Sequence, residues 1–362
     1  MNLGLLLMPS LTVSSEPSLL KALACQNEGR PPVWIMRQAG RYLPEYQAIR
    51  KDHSLEEMFR NPELIFEITK QPLDILDVDA AILFADILHI PLSLGFDVTF
   101  PGKGGPVVAP TMQSADDLIQ ISPQPVDEAL GFVREGIDLI KKEIKQPLIG
   151  FCGGPFTVMT YMTGKKVKKW LYSDPESALE LLQILTDQSI AYLKMQVKAG
   201  VDAIQIFDSW ANLLSRKEFC RFALPFLGQI VQAMEGTPVI IFSRASSQFV
   251  SDIVSVKPNA ISFDWTYSMQ EIRRHVPPNI AVQGNLDPEL LYAPIPVIEK
   301  ETTKLLSSME GDPGYIVNLG HGVLPDIPVD HVKAFVNTVK DFSPRNAHSE
   351  FTLPCRSGGH GA

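Results

Sequence analysis

Cysteine is scarce in this chain, and the few cysteines are scattered. There are 4 in 362 residues, Cys25, Cys152, Cys220 and Cys355, with no CxxC pair and no HxC pair. That spacing argues against a disulfide framework or a zinc knuckle, and points to a reducing cytoplasm. Positive charge is also in deficit. Lys and Arg number 32 against 41 Asp and Glu, for a net charge of -9. A dense basic face is what nucleic-acid backbones require, so that class of partner is set aside. No apolar run is long enough to span a bilayer. The opening MNLGLLLMPS lacks a basic flank and reads as a loose arm over residues 1–16, not as a signal segment. Nucleotide and hydrolase signatures are missing too: there is no GxGxxG after an early strand, no P-loop, no HExxH and no defensible Ser-His-Asp order.

What is present is a rhythm. Short β-prone apolar runs occur at 33–36, 80–84, 147–151, 203–207, 238–242, 260–264, 280–285 and 315–320. Helix-like stretches separate them, among them ESALELLQILTDQSIAYLKMQVKAG, which ends at Gly200 where a C-cap glycine belongs, and SRKEFCRFALPFLGQIVQAME. The runs are almost continuously apolar, as parallel strands covered on both faces are. Alternation of this kind predicts a single-domain (β/α)8 barrel of the TIM type over 17–342. Residues 96–110 read as a hairpin insertion, and 343–362, polar and rich in glycine, as a flexible tail.

Barrels of this type carry their sites at the C-terminal strand ends. Arg37 follows the first run, with Gly40 and Arg41 close behind. Asp86 follows the second and CGGPF (152–156) the third. Asp208 and Ser209 come after AIQIF, Ser243 and Arg244 after PVIIF, and Asp264 closes AISFD. Gly284, Asn285 and Asp287 follow IAVQ, and His321 and Gly322 follow YIVNLG. A ring of such exits suits a large polar pocket. Each also has a plainer reading. The arginines can be surface charges, Asp86 and Asp208 can cap helices, and His321 can be a packed loop residue. Tyr161, Trp210 and Trp265 can belong to the core, and the paired glycines can serve only a close backbone approach.

The motifs themselves narrow the choice. PVWIMRQAGRYLPEY, IGFCGGPFTVMTYM, ISFDWTYS, VQGNLDPELLYA and YIVNLGHGVLPDIPVDHVKAFV resemble the signature blocks of the uroporphyrinogen decarboxylase family, across about 17–342. The resemblance implies a barrel acting as a homodimer with its two clefts facing. It implies removal of the four acetate carboxyls of uroporphyrinogen to give coproporphyrinogen, with neither metal nor organic cofactor. By that likeness Arg37, Gln38, Ala39, Gly40 and Arg41 bind substrate, with Gly40 letting the loop bring both arginines over the cleft. Asp86 accepts the pyrrole N–H groups and stabilises the protonated ring, and Tyr161, Ser209 and His321 contact substrate. Phe207 offers an apolar wall and Arg50 is a weaker carboxylate contact. Arg37 is also the proton-donor candidate, although a guanidinium is a poor acid in water. One departure stands out: SRASS at 243–247 replaces an expected Lys-Gly pair, and no role follows for it. Two other readings exist: a zinc-dependent corrinoid methyltransferase of the same superfamily, which needs a His/Cys cluster absent around His321, and a tetrapyrrole-binding protein without activity.

Overall fold

The apolar runs condense into parallel strands because their two faces are covered from both sides. In the computed structural model, residues 16–101 and 105–343 are described. The strands are β1 Ala81–Ile82, β2 Asp97–Thr99, β3 Val107–Ala109, β4 Leu148–Gly153, β5 Ala203–Asp208, β6 Val239–Ser243, β7 Ala260–Ser262, β8 Ala281–Gln283 and β9 Tyr315–Ile316. Seven of them form one parallel sheet in the order β1-β4-β5-β6-β7-β8-β9. Strands β2 and β3 pair antiparallel, Val98 opposite Val108, which is the hairpin expected within 96–110.

The first apolar run does not form a full strand. Val33 makes only an isolated parallel bridge with Val317. Even so, it closes the seam between β9 and β1. Val317 N donates to Pro32 O at 2.8 Å on one side, and Asp79 N donates to Val33 O at 2.8 Å on the other. Beyond Trp34 side chains replace the ladder: Gln38 Oε1 accepts from Ile35 N at 3.1 Å, and Asn318 Oδ1 from Met36 N at 3.0 Å. The curled sheet is therefore a TIM-type barrel whose eighth stave is held largely by amide side chains. Inside it, Trp34 Nε1 donates to Gln283 Oε1 at 2.9 Å, and Gln283 Nε2 reaches Gln205 Oε1 at 3.1 Å and Ser262 Oγ at 2.9 Å. This network ties four staves across the interior.

Helices cover the outer face. Pro175–Ala199 runs 25 residues, capped by Asp174, whose carboxylate accepts from Ser177 N at 3.2 Å, and stopped by Gly200 at φ +113°. The stretch 215–235 divides into Arg216–Phe222 and Leu224–Ala233. Its periodicity alone suggests one helix. Pro225 explains the break, since its ring removes an N–H and is tolerated only in a first turn.

Candidate active site

The C-terminal strand ends gather the polar exits, and two glycines make the gathering possible. A Cβ on Gly153 would lie 2.8 Å from Val158 Cγ2 and 3.1 Å from Ile87 Cβ. One on Gly154 would lie 2.8 Å from the Asp208 carboxyl carbon. Any side chain there would push the Asp86 loop and the β5 exit away from β4. The close-approach reading of CGGPF is thus the structural fact, and it serves the site.

Asp86 lies deep in the molecule yet keeps a partly accessible surface, the signature of a cleft floor. One oxygen, Oδ1, accepts from Leu88 N at 2.8 Å. That bond closes a turn ahead of the helix His89–Ser93, which starts from Leu88 without a side-chain cap, so Asp86 is not its N-cap. Burial pushes its pKa up to about 6, against the lowering effects of that hydrogen bond and of the Arg37 guanidinium. Arg37 itself has a left-handed backbone, φ +62°, costly for a side chain this long. Its chain lies flat over Gly322, where a Cβ would come within 2.4 Å of Arg37 Cδ. Gly322 therefore sets how Arg37 enters the cleft. The left-handed residue of the RQAGR loop is Arg37, while Gly40 provides close approach, its would-be Cβ standing 3.2 Å from Arg37 O.

The remaining candidates divide. His321 faces Arg37 and packs edge-on against Phe242, ring centroids 5.9 Å apart. Burial lowers its pKa to about 4, helped by Arg37 and Arg244 and opposed by Asp264, so it is neutral near pH 7. Phe207, half-buried, sits between Phe151 and Phe242 at 5.5 and 6.1 Å, edge to face. Together with His321 these rings form an aromatic arc across β4, β5, β6 and the loop after β9. Tyr161 is partly exposed and meets Trp210 edge-on at 5.9 Å, and Ser209 is half-buried between Asp208 and Trp210. Ala39 and Gly40 are partly exposed on the same loop as Arg37.

Gln38 is different. It is fully buried, and beside the bond from Ile35 its Nε2 donates to Ala80 O at 3.1 Å, while its own carbonyl accepts from Tyr42 Oη at 2.6 Å. Its amide is engaged inside the fold and holds the loop to β1. Arg41 is placed on the helix side of the loop. It lines a shallow depression with Tyr46, Gln47, Arg50, Lys51 and Pro325, so the weaker candidate Arg50 keeps company with Arg41. Asn285 and Asp287 are structural: Asn285 Nδ2 donates to Asp264 O at 2.8 Å, and Asp287 caps the turn at Glu289 N, 2.9 Å.

Sequence reasoning passed over Asp208 as more than a cap. It is fully buried; Thr157 Oγ1 donates to its Oδ1 at 2.6 Å and accepts from Trp210 N at 3.0 Å. Its other oxygen has no hydrogen-bond partner among the described residues. Burial raises its pKa to about 6, with the Thr157 bonds opposing. A deep acid at a strand exit was the available signal.

Among the described residues no three His, Cys, Asp or Glu side chains are grouped so as to hold a metal ion, and Cys355 lies outside them. Nor is any helix of the described residues long and apolar enough to cross a membrane.

Comparison with known proteins agrees with this geometry. Residues 14–342 match the family model described as uroporphyrinogen decarboxylase (URO-D). The uroporphyrinogen decarboxylase of Protochlamydia amoebophila is 46% identical over 339 residues, covering 91% of this chain and 93% of that protein. That of Flavobacterium johnsoniae is 42% identical over 333 residues, covering 89% and 97%. A methyltransferase from Methanosarcina mazei shares the fold, with a TM-score of 0.76 at 22% identity over 89% of this chain and 97% of its own. The chain belongs to the uroporphyrinogen decarboxylase family.

Proposed function

We propose that this protein removes the four acetate carboxyls of uroporphyrinogen in turn, releasing CO2 each time and leaving methyl groups, to give coproporphyrinogen. The observation that carries the reading is Asp86. It is a deep carboxylate on a cleft floor, with one oxygen held by Leu88 N and the other turned to no such bond, facing an arginine that has no ion-pair partner among the described residues.

The chemistry asks for such a group. A pyrrole acetate has no electron sink until the ring is protonated on carbon. Protonation makes an iminium-like cation, and the bond to the carboxyl carbon then breaks with its electron pair entering the ring. A proton on the exocyclic carbon and loss of the ring proton restore the pyrrole and complete the methyl. A fixed negative charge beside the ring stabilises the cation where it develops. Asp86, titrating near 6, is mostly ionised above neutrality, and pyrrole N–H donors would hold it so.

Arg37 takes the reacting acetate, the guanidinium being suited to bidentate carboxylate contact. Arg41 with Arg50 receives side-chain carboxylates at the rim, and Ala39 and Gly40 shape the edge between them. Phe207 walls the ring, and Tyr161, Ser209 and neutral His321 contact the substrate periphery. No metal or organic cofactor enters this scheme. Homodimers with facing clefts, in the cytoplasm, are part of the same proposal.

The test is anaerobic incubation of metal-free protein with uroporphyrinogen III, followed by oxidation and separation of products by carboxyl number. Stepwise loss from eight carboxyls to four supports the reading. Retention of all eight, with the tetrapyrrole still bound, would leave only a binding protein.

A further inference from the structure

The loop after β6, which carries the departure SRASS, has geometry of its own. Ala245 is left-handed at φ +60°, unusual for alanine. Its N–H donates to Asp264 Oδ2 at 2.6 Å, and Arg244 N donates to Asp208 O at 3.3 Å. Asp264 is itself buried, and its other oxygen accepts from Thr266 N at 3.1 Å and from the Thr266 hydroxyl. The acid nearest to this loop is thus occupied by two backbone N–H groups and a hydroxyl. Meanwhile Gly320 is pressed against the β7 exit, where a Cβ would lie 2.6 Å from Trp265 N. The exits of β6, β7 and β9 are locked together, and His321 lies against Phe242, two residues before Arg244.

Arg244 emerges from this junction exposed, and none of the ion pairs among the described residues includes it. Five other arginines, Arg30, Arg134, Arg216, Arg221 and Arg273, each meet a carboxylate. The charges of Arg37 and Arg244 both oppose protonation of His321, so both guanidinium groups lie within electrostatic reach of that ring.

We propose that Arg244 is a specificity-determining residue that grips a peripheral carboxylate of the tetrapyrrole on the β6 side of the cleft, beside the Phe242–His321 contact. The proposal rests on the tetrapyrrole reading above, and it adds a contact point from the loop SRASS, for which no role follows from the family resemblance. The left-handed turn at Ala245, fixed by Asp264, sets the direction in which the chain leaves Arg244, and the oxygens of Asp264 are taken up by Ala245 and Thr266. An unpaired guanidinium suits a carboxylate delivered by a ligand.

The experiment uses uroporphyrin, the oxidised, fluorescent octacarboxylate, so that binding is read without turnover. Wild type, Arg244→Gln and Arg244→Lys are titrated at equal ionic strength, and the His321 ring is followed by NMR against pH in each. Arg244→Gln should weaken binding about tenfold and Arg244→Lys less, since lysine keeps the charge and loses the planar fork. The His321 midpoint should rise in Arg244→Gln and hold in Arg244→Lys. Equal affinity in all three proteins overturns the proposal. So does equal weakening in Gln and Lys with the His321 midpoint unmoved, which would mean a structural role for the loop. Because neither readout needs decarboxylation, a wild type that binds but does not turn over would sink the proposed activity and leave this contact standing.

Discussion

Arg30 and Arg37 stand at opposite ends of the same barrel stave, and they are treated in opposite ways. Arg30 grips Asp79 through both guanidinium nitrogens at 2.7 Å each, and Asp79 also accepts Val33 N at 2.8 Å. The same pattern recurs at that end of the barrel. Lys141 and Leu148 N both reach Asp202 at 2.7 Å, and Arg273 donates to Ile280 O and Val276 O at 2.8 Å. Arg30, Lys141 and Arg273 each have a partner there that also holds the start of a strand. At the C-terminal end Arg37, Arg41 and Arg244 make no ion pair among the described residues, and Asp86 and Asp208 each hold one oxygen out of the internal bonding. Complete pairing stabilises a fold. Incomplete pairing lowers stability and leaves groups ready for a ligand.

The strongest way to break this comparison is Asp86→Asn. Loss of the charge that meets the protonated ring should lower kcat roughly 10²–10³-fold. The fold should persist, with a melting temperature at pH 8 no lower than wild type, because the variant relieves a carboxylate that burial disfavours. A rate near wild type would remove Asp86 from the chemistry.

The two arginines offer the next test. Arg30→Gln should cost roughly 2–3 kcal/mol in chemical denaturation, since it strands the mostly buried Asp79 with one backbone donor and Lys340 at 3.9 Å. Turnover per folded molecule should hardly change. Arg37→Gln should do the reverse: little change in denaturation midpoint, and a large loss in kcat/KM. Similar stability losses in both variants would show that the two ends of the barrel are not specialised.

The sequence made much of this legible, for identifiable reasons. Strands covered on both faces leave continuous apolar runs, so seven of the eight staves start within a residue of where the runs start. Gly200 stops its helix as read. The stave at 33–36 was legible as apolar, but not as a strand held by side chains, because Gln38 from the loop that follows it and Asn318 from a distant one take the ladder bonds. For the same reason Gln38, in a loop that reads as substrate-binding, proves fully buried. Arg41 reads as Arg37's partner because only a glycine and two other residues intervene. Arg37 takes a left-handed turn while Arg41 lines a depression with Arg50, and no spacing rule reports that turn. Arg244 could not be placed at all until the loops after β6, β7 and β9 were seen to meet.

Asp208 gives the finest test, because it carries a charge state that pH can switch. It is fully buried, and burial raises its pKa from an ordinary 3.8 to about 6. A carboxyl whose folded pKa lies above its unfolded one binds its proton more tightly in the folded state. Its contribution to stability is therefore full below about pH 4 and is lost as pH rises through about 6. The shift of about two units corresponds to about 3 kcal/mol as an upper figure. Asn at this position keeps an oxygen for the Thr157 hydroxyl and cannot ionise. Asp208→Asn should then match or fall slightly below wild type at pH 4.5, and exceed it at pH 8, in urea denaturation. The two stability curves cross between those values, with the gap growing across the window and flat above about pH 7. A gap independent of pH would mean that Asp208 is not ionising inside the protein. The open end of the barrel would then owe its strain to Asp86 alone.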